Sequence, residues 1–426
     1  YGVTCATTDT GEIHVSELNL PKNNLNGIVP SVIFHLEALE KLDVRKNPVT
    51  ITFQGIEVAT RLKEIYIDET LVKNMNGISG AKNLQILHAY KNSFAGQPFP
   101  DEICDISTLT DLNLSDSMLI GTLSAKIGQL TNLQRLTLTR NFLSGDLPPL
   151  LGQLKALKEL EISNNKWSGT LPSSWMGMTA LEALFLDNTE ESNAIISGPL
   201  ISFETMPNLR ELNLANNQLT GTIPSTFISG IGETSSLINV RLDQNHLTGT
   251  VPSSLAAFSK LNIDLTGNLF TAIGYGLCNQ SEWNDGNVGR FRCNGILCPA
   301  GEFSSSGRQT SVNDACQPCP GEENSSYMGV STCVTLAKEQ EKEILGMLFQ
   351  ATGGTNWRVK DGWMENPDVC TWHGISCSER SVVESIHLGS NHLMGSVPKE
   401  IFDLPNLKSL WLYSNPVEFS FDGIGQ

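Results

Sequence analysis

The chain has 426 residues, of which 40% are apolar and 17% charged, a composition that excludes intrinsic disorder and allows two to three domains. Its 28 Lys and Arg stand against 45 Asp and Glu, a net charge of −17. That sign disfavours nucleic acid and anionic membrane as partners, and no run of 18 apolar residues is present to span a bilayer.

In chain order, residues 1–14 read as the end of a cap that contains Cys5. From residue 15 the sequence repeats itself every 24 residues or so, with units starting at 15, 39, 62, 84, 109, 133, 157, 181, 209, 237 and 260. The template is L-x-x-L-x-L-x-x-N-x-L-x-G-x-(L/I/V)-P. Leu133, Leu136, Leu138, Asn141, Leu143, Gly145, Leu147 and Pro148 fit it, and so do Leu157, Leu160, Ile162, Asn165, Trp167, Gly169, Leu171 and Pro172. Alternation at L-x-L predicts a short strand with its apolar side chains turned inward. Each Asn is placed to bond turn backbone, so Asn141, Asn165, Asn217, Asn245 and Asn268 are expected to stack as a ladder. One unit cannot bury its own apolar face, so stacking has to supply the core.

These residues resemble the plant-type extracellular leucine-rich repeat family over about two thirds of the chain. The resemblance implies an α/β solenoid: a leucine-rich repeat arc, parallel strands on its concave face, followed by a disulfide-rich linker and the start of a second solenoid. Eleven strands at about 4.8 Å would make an arc roughly 50 Å long. Three units depart from the template. Thr70 and Thr189 replace the ladder Asn, residues 190–196 are inserted, and the chain is stretched near 228–233.

A longer period is also present. Residues 383–426 repeat residues 15–58 at a shift of 368, with 18 of 44 positions identical. The repeat template does not account for Phe34/Phe402 or for Asn47-Pro48-Val49/Asn415-Pro416-Val417, so a whole module is duplicated. Residues 1–5 correspond to 373–377. The partner of Cys5 would fall before Tyr1, and the last unit stops inside a repeat, so the natural protein is expected to continue in both directions. The expected organisation is 1–14 cap, 15–277 solenoid, 278–333 Cys-rich linker, 334–382 second cap and 383–426 second solenoid. A helix is predicted over 335–351 as part of that cap, ended by Gly353-Gly354.

Eight of the ten Cys lie between 278 and 377 and allow 105 connectivities. Sequential pairing is the expectation: Cys278–Cys293, Cys298–Cys316, Cys319–Cys333 and Cys370–Cys377. The second and third resemble small two-disulfide modules of extracellular receptors. The last resembles the N-terminal cap of plant-type repeat proteins, with Trp357, Trp363 and Trp372. Cys316–Cys319 as a redox or zinc CxxC fits less well, since neither a βαβ pattern nor a second CxxC accompanies it. Disulfides imply an oxidising, extracellular setting: secreted, cell surface or cell wall. Asn113, Asn279 and Asn324 head glycosylation sequons.

No HExxH, G-x-S-x-G, P-loop or EF-hand motif is present, so no enzyme, catalytic residue, metal site or cofactor is expected. Carboxylate pairs such as Asp68/Glu69 and Asp111/Asp116 read as a solvated face, with weak calcium binding as the alternative. In this family ligands commonly bind the concave side. Its central column is read as Asn19, Asp43, Tyr66, His88, Asn113, Thr137, Glu161, Phe185, Asn213, Arg241 and Asp264. Tyr66, His88, Tyr90, Phe185 and Arg241 are the candidate contacts, joined in the second module by Trp411 and Tyr413. The 368-residue period points first to a non-enzymatic structural scaffold of tandem modules, assembling with copies of itself into a filament or matrix. The alternative is a secreted or receptor-ectodomain recognition protein for a peptide, protein or cell-wall glycan.

Overall fold

The computed structural model describes all residues except 1, 8–10, 190–194, 233–235, 321–326, 334–335, 367, 379–381, 405 and 420–426. The Asn324 sequon, most of the 190–196 insertion and the last seven residues of the second module lie outside the described residues. The chain forms two compact units. One holds residues 1–299, 304–316 and 327–331, the other 300–303, 317–326 and 332–426.

In the first unit, β1 (Val3–Thr7) pairs antiparallel with β2 (Ile13–Asn19). Ten parallel strands follow: β3 (Lys41–Asp43), β4 (Glu64–Tyr66), β5 (Ile86–His88), β6 (Asp111–Asn113), β7 (Arg135–Thr137), β8 (Glu159–Glu161), β9 (Ala183–Phe185), β10 (Glu211–Asn213), β11 (Ile238–Arg241) and β12 (Leu261–Asp264). The eleven parallel strands β2–β12 correspond to the eleven repeats. Register is constant: Leu112, Leu136, Leu160, Leu184 and Leu212 are successive partners, and all are buried. Each such leucine contributes about 2 kcal/mol by leaving water. A second sheet of seven parallel strands runs from Ile120–Gly121 to Leu269–Ile273, and most short 3₁₀ turns lie between the two sheets in sequence.

The Asn ladder explains why the coils stack in one register. Asn141 Oδ1 accepts the Ser117 and Leu119 N–H groups at 3.1 and 3.0 Å, and Nδ2 donates to the Leu114 and Leu138 carbonyls at 2.9 and 3.0 Å. Asn165, Asn217, Asn245 and Asn268 repeat the pattern of donation. The residue before the ladder Asn takes a left-handed turn, as at Arg140 (φ 54°), which sends its N–H to the Ser163 carbonyl of the next coil at 3.0 Å. The replacements of the ladder Asn by Thr70 and Thr189 are both compensated. The Thr70 hydroxyl lies 2.8 Å from both Ile67 O and Asn92 Oδ1 and shares its one proton between them. At the other, Asn188, one residue before Thr189, turns inward and donates to Asn217 Oδ1 at 2.7 Å.

The open edge at β12 is closed by the Cys-rich segment. Asn284 accepts Ile263 N–H at 2.7 Å, Arg308 donates to Ile263 O at 2.9 Å, and Met328 N–H donates to Phe270 O at 2.8 Å. Disulfides Cys278–Cys293 and Cys298–Cys316 belong to this unit. Cys319–Cys333 belongs to the other, so the two compact units divide the Cys-rich stretch between them.

In the second unit the helix spans Leu336–Ala351, followed by Gly353 at φ 68°. Buried Glu341 on that helix accepts the Val383 N–H at 2.9 Å. Phe349, Trp357, Trp363 and Trp372 form one aromatic cluster, with Trp357 and Trp363 centroids 4.7 Å apart. Cys370–Cys377 closes the cap. The strand Ile375–Cys377 pairs antiparallel with Val383–His387, as β1 does with β2. Both pairs bulge just before the equivalent Cys377 and Cys5. Gly374 and Gly2 both have φ near 80°, and a Cβ would strike a backbone oxygen at 2.4 Å (His387) or 2.5 Å (Asn19). Two sequences 372 residues apart thus build the same corner, which is the structural mark of the duplication.

Candidate functional site

The outer strand positions form two columns on the concave face, because the middle residue of each strand is buried. The central column runs Asn19, Asp43, Tyr66, His88, Asn113, Thr137, Glu161, Phe185, Asn213, Arg241, Asp264 in direct register. A second column, two residues earlier on each strand, is strongly charged: Glu17, Lys41, Glu64, Ile86, Asp111, Arg135, Glu159, Ala183, Glu211.

Opposite charges meet across that second column. Lys41 lies 3.1 Å from Glu64, and Arg135 bridges Asp111 at 2.9 Å and Glu159 at 2.6 Å. Asp111 also lies 3.1 Å from His88 Nε2, with angles too poor for a hydrogen bond. Burial alone would raise the Asp111 carboxyl, but His88 and Arg135 outweigh it and hold it below the usual range. This chain of charge was overlooked in the sequence, although opposite charges at equivalent positions of successive repeats would have revealed it.

Tyr66, His88 and Tyr90 are brought together. The Tyr66 and His88 rings meet edge to face at 5.1 Å. Lys41 and Arg45 lie 4.7 and 5.1 Å from the Tyr66 centroid, and Tyr90 donates its hydroxyl to Glu69 at 3.1 Å. Burial and then Glu64 push the Tyr66 hydroxyl up to about 12. Phe185 stands four strands away, about 19 Å at strand spacing. It lines a shallow groove of about 610 Å³ with Arg135, Lys158, Glu159, Arg210 and Glu211. Arg241 is two strands further on and is spent on Asp243, with contacts of 3.1 and 2.9 Å. Trp411 and Tyr413 are 52% and 64% exposed on the second unit, where Trp411 packs on His387 at 4.8 Å.

The solvated carboxylate pairs need correction. Asp68 is wholly buried, and burial pushes its carboxyl up to about 6. Asp111 and Asp116 do not pair with each other, since Asp116 is held by Arg140 at 2.6 and 2.8 Å. Glu161 is pushed up to about 7 by burial and then by its bond to Glu159. Among the described residues no group of three His, Cys, Asp or Glu is arranged to hold a metal ion, so the calcium alternative finds no site there. The Asn113 side chain accepts both the N–H and the hydroxyl of Ser115, at 3.0 and 2.6 Å, whereas Asn279 is exposed.

Coil geometry, ladder and concave sheet together define a leucine-rich repeat solenoid. The chain's four disulfides fit an extracellular segment in an oxidising compartment. The family pattern "Leucine rich repeat" matches residues 131–190, and a second, "Leucine Rich Repeat", matches 208–229. Receptor-like protein kinase 5 of Arabidopsis thaliana is 43% identical over 60 residues, which is 14% of this chain and 6% of that protein. Among solved structures, the Arabidopsis receptor kinase HAESA ectodomain with a peptide hormone ligand is 25% identical at a TM-score of 0.54. The match covers 64% of this chain and 44% of that one. The plant peptide hormone receptor RGFR1 in complex with RGF2 (23%, TM-score 0.56) and PEPR1–AtPEP1 (21%, TM-score 0.57) share the fold. Each match covers 98% of this chain, but only 60% and 47% of those chains.

Proposed function

We propose that this chain is an extracellular recognition module that binds a peptide or an extended protein segment along the concave face of its first solenoid, without catalysis. The observation that carries the reading is the face itself. Eleven strands in constant register hold Tyr66, His88, Tyr90 and Phe185 as partly exposed rings beside a column of fixed charge. Rings on a rigid sheet lose little entropy when they bind, and an extended chain is the ligand shape that follows such columns. The HAESA ectodomain, solved with a peptide hormone, supports the same use of this fold. Trp411 and Tyr413 would serve the second module in the same way. N-glycans at Asn279 and Asn324 are part of this reading, and Asn113 stays unmodified. The 368-residue duplication favours a second reading, a scaffold of tandem modules, which single-particle images of the native protein as filaments would support.

A glycan wedge tests the proposal. Thr137→Asn completes a sequon with Thr139 at the centre of the column. Peptides selected by phage display on the unmodified chain should lose binding to the glycosylated variant and regain it after enzymatic deglycosylation. Peptides that bind the glycosylated variant undiminished would overturn the concave-face reading.

A further inference from the structure

Two carboxylates lie wholly buried behind the aromatic cluster, Asp43 and Asp68, both with no exposed surface. One oxygen of each is spent on backbone: Asp43 Oδ1 accepts the Arg45 N–H at 3.2 Å and Asp68 Oδ1 the Tyr90 N–H at 3.0 Å. The other oxygens differ. Asp43 Oδ2 lies 2.9 Å from Arg45 Nη2, though at an angle that makes an ion pair and not a hydrogen bond. Asp68 Oδ2 has no hydrogen-bond partner. Arg45 also lies over the Tyr66 ring. His88 lies against Asp111 and Lys41 against Glu64, so among the described residues no cation forms an ion pair with Asp68, although the charges of His88 and Arg45 reach it.

The buried charge does not balance. One guanidinium faces two carboxylates, and burying an unpaired carboxylate costs several kcal/mol. One more cation would balance the set. The side chains around it, Arg45, Tyr66, His88 and Tyr90, are all partly exposed, so a guest can enter by parting side chains with the backbone in place. Tyr66 and Tyr90 already take Lys41, Arg45 and Lys91 over their rings, an arrangement that an organic cation would adopt by displacing one of these side chains.

We propose that Asp43 and Asp68, framed by Tyr66, His88 and Tyr90, form a cage for a single basic group of the ligand, an arginine guanidinium or a lysine ammonium. The inference rests on concave-face recognition and adds the chemistry that anchors it. The cage is not duplicated: Asp43 and Arg45 correspond to Trp411 and Tyr413 in the second module. The two modules would therefore read different ligand groups.

The test uses the full chain and three end-blocked glycine tripeptides whose central residue is arginine, lysine or citrulline, titrated by calorimetry or ligand-observed NMR. Citrulline keeps the shape of arginine and removes its charge. The arginine or lysine probe should bind at least tenfold more tightly than the citrulline probe, and the better of the two identifies the group. Asp68→Asn and Asp43→Asn should each abolish that preference, while Lys260→Ala, an exposed residue outside both columns and far along the solenoid, should leave it intact. Equal binding of all three probes, or an undiminished preference in Asp68→Asn, overturns the cage. If the cage fails while the glycan at position 137 still blocks phage-selected peptides, concave recognition stands without it. If the glycan blocks nothing, the broader reading has failed first.

Discussion

Replacing Asp68 by Asn should stabilise the protein at neutral pH and leave it nearly unchanged in acid. The carboxyl ordinarily titrates at 3.8 and is pushed up to about 6 by burial, opposed in part by the Tyr90 N–H and by the charges of His88 and Arg45. The shift of about two pH units corresponds to about 3 kcal/mol. Its sign follows from which state holds the proton. Between pH 4 and pH 6 the folded chain keeps a proton that the unfolded chain has released, so raising the pH through this window removes stability. Above about pH 6 the whole penalty is present. Asparagine keeps an oxygen for the Tyr90 N–H and carries no charge. Urea unfolding of wild type and variant, compared at pH 4, 5, 6 and 7.5, cancels the contribution of every other titrating group. The variant should gain about 1–3 kcal/mol at pH 7.5, and the gain should shrink to within about 0.5 kcal/mol at pH 4. A gain independent of pH, or a variant less stable at pH 7.5, would refute the reasoning. The same variant serves the binding test above, where added stability removes misfolding as an explanation for lost binding.

Other expectations follow from the packing. Leu160→Ala should cost about 2–5 kcal/mol by leaving a cavity between neighbouring coils, measurable as a lower urea midpoint. Asn165→Ala strands the Leu143 N–H in the core, while the Leu138 and Ile162 carbonyls keep Asn141 and Trp167 as donors, and should cost about 1–3 kcal/mol, whereas the exposed bridge removed by Arg135→Ala should cost less than about 1 kcal/mol. Cys104 is buried and its thiol is pushed up to about 12, while Cys5 is exposed. A thiol reagent should therefore titrate one cysteine in the native chain and two in denaturant, and two in the native chain would contradict the fold. Glycopeptide mass spectrometry should find Asn279 occupied and Asn113 bare. A glycan on Asn113 would stand between His88 and Thr137 and count against recognition on that face.

The comparison of sequence with structure is most instructive at Asp68 and Thr70. From the repeat template, Thr70 marked a flaw. In the structure its hydroxyl reaches Asn92 and keeps the ladder closed, a contact between coils that spacing alone does not disclose. From the same template Asp68 belonged to a solvated face. Its burial comes from Tyr66 in its own coil together with Arg45 and Tyr90 on the coils to either side, a set that no single unit contains.

The order of the central column was legible because period-two alternation and a constant repeat length leave only one register, and the register then fixes every neighbour along the arc. Template and spacing thereby also determined the solenoid, the number of its inner strands and the duplicated module. Tertiary structure decided which charges lost their water, which carboxylates found cations, and how the Cys-rich segment divides between the two units. The reason is physical. Side-chain direction is a local property set by the backbone, whereas desolvation and charge balance depend on atoms contributed by strands some twenty or more residues apart, and they exist only once the coils are stacked.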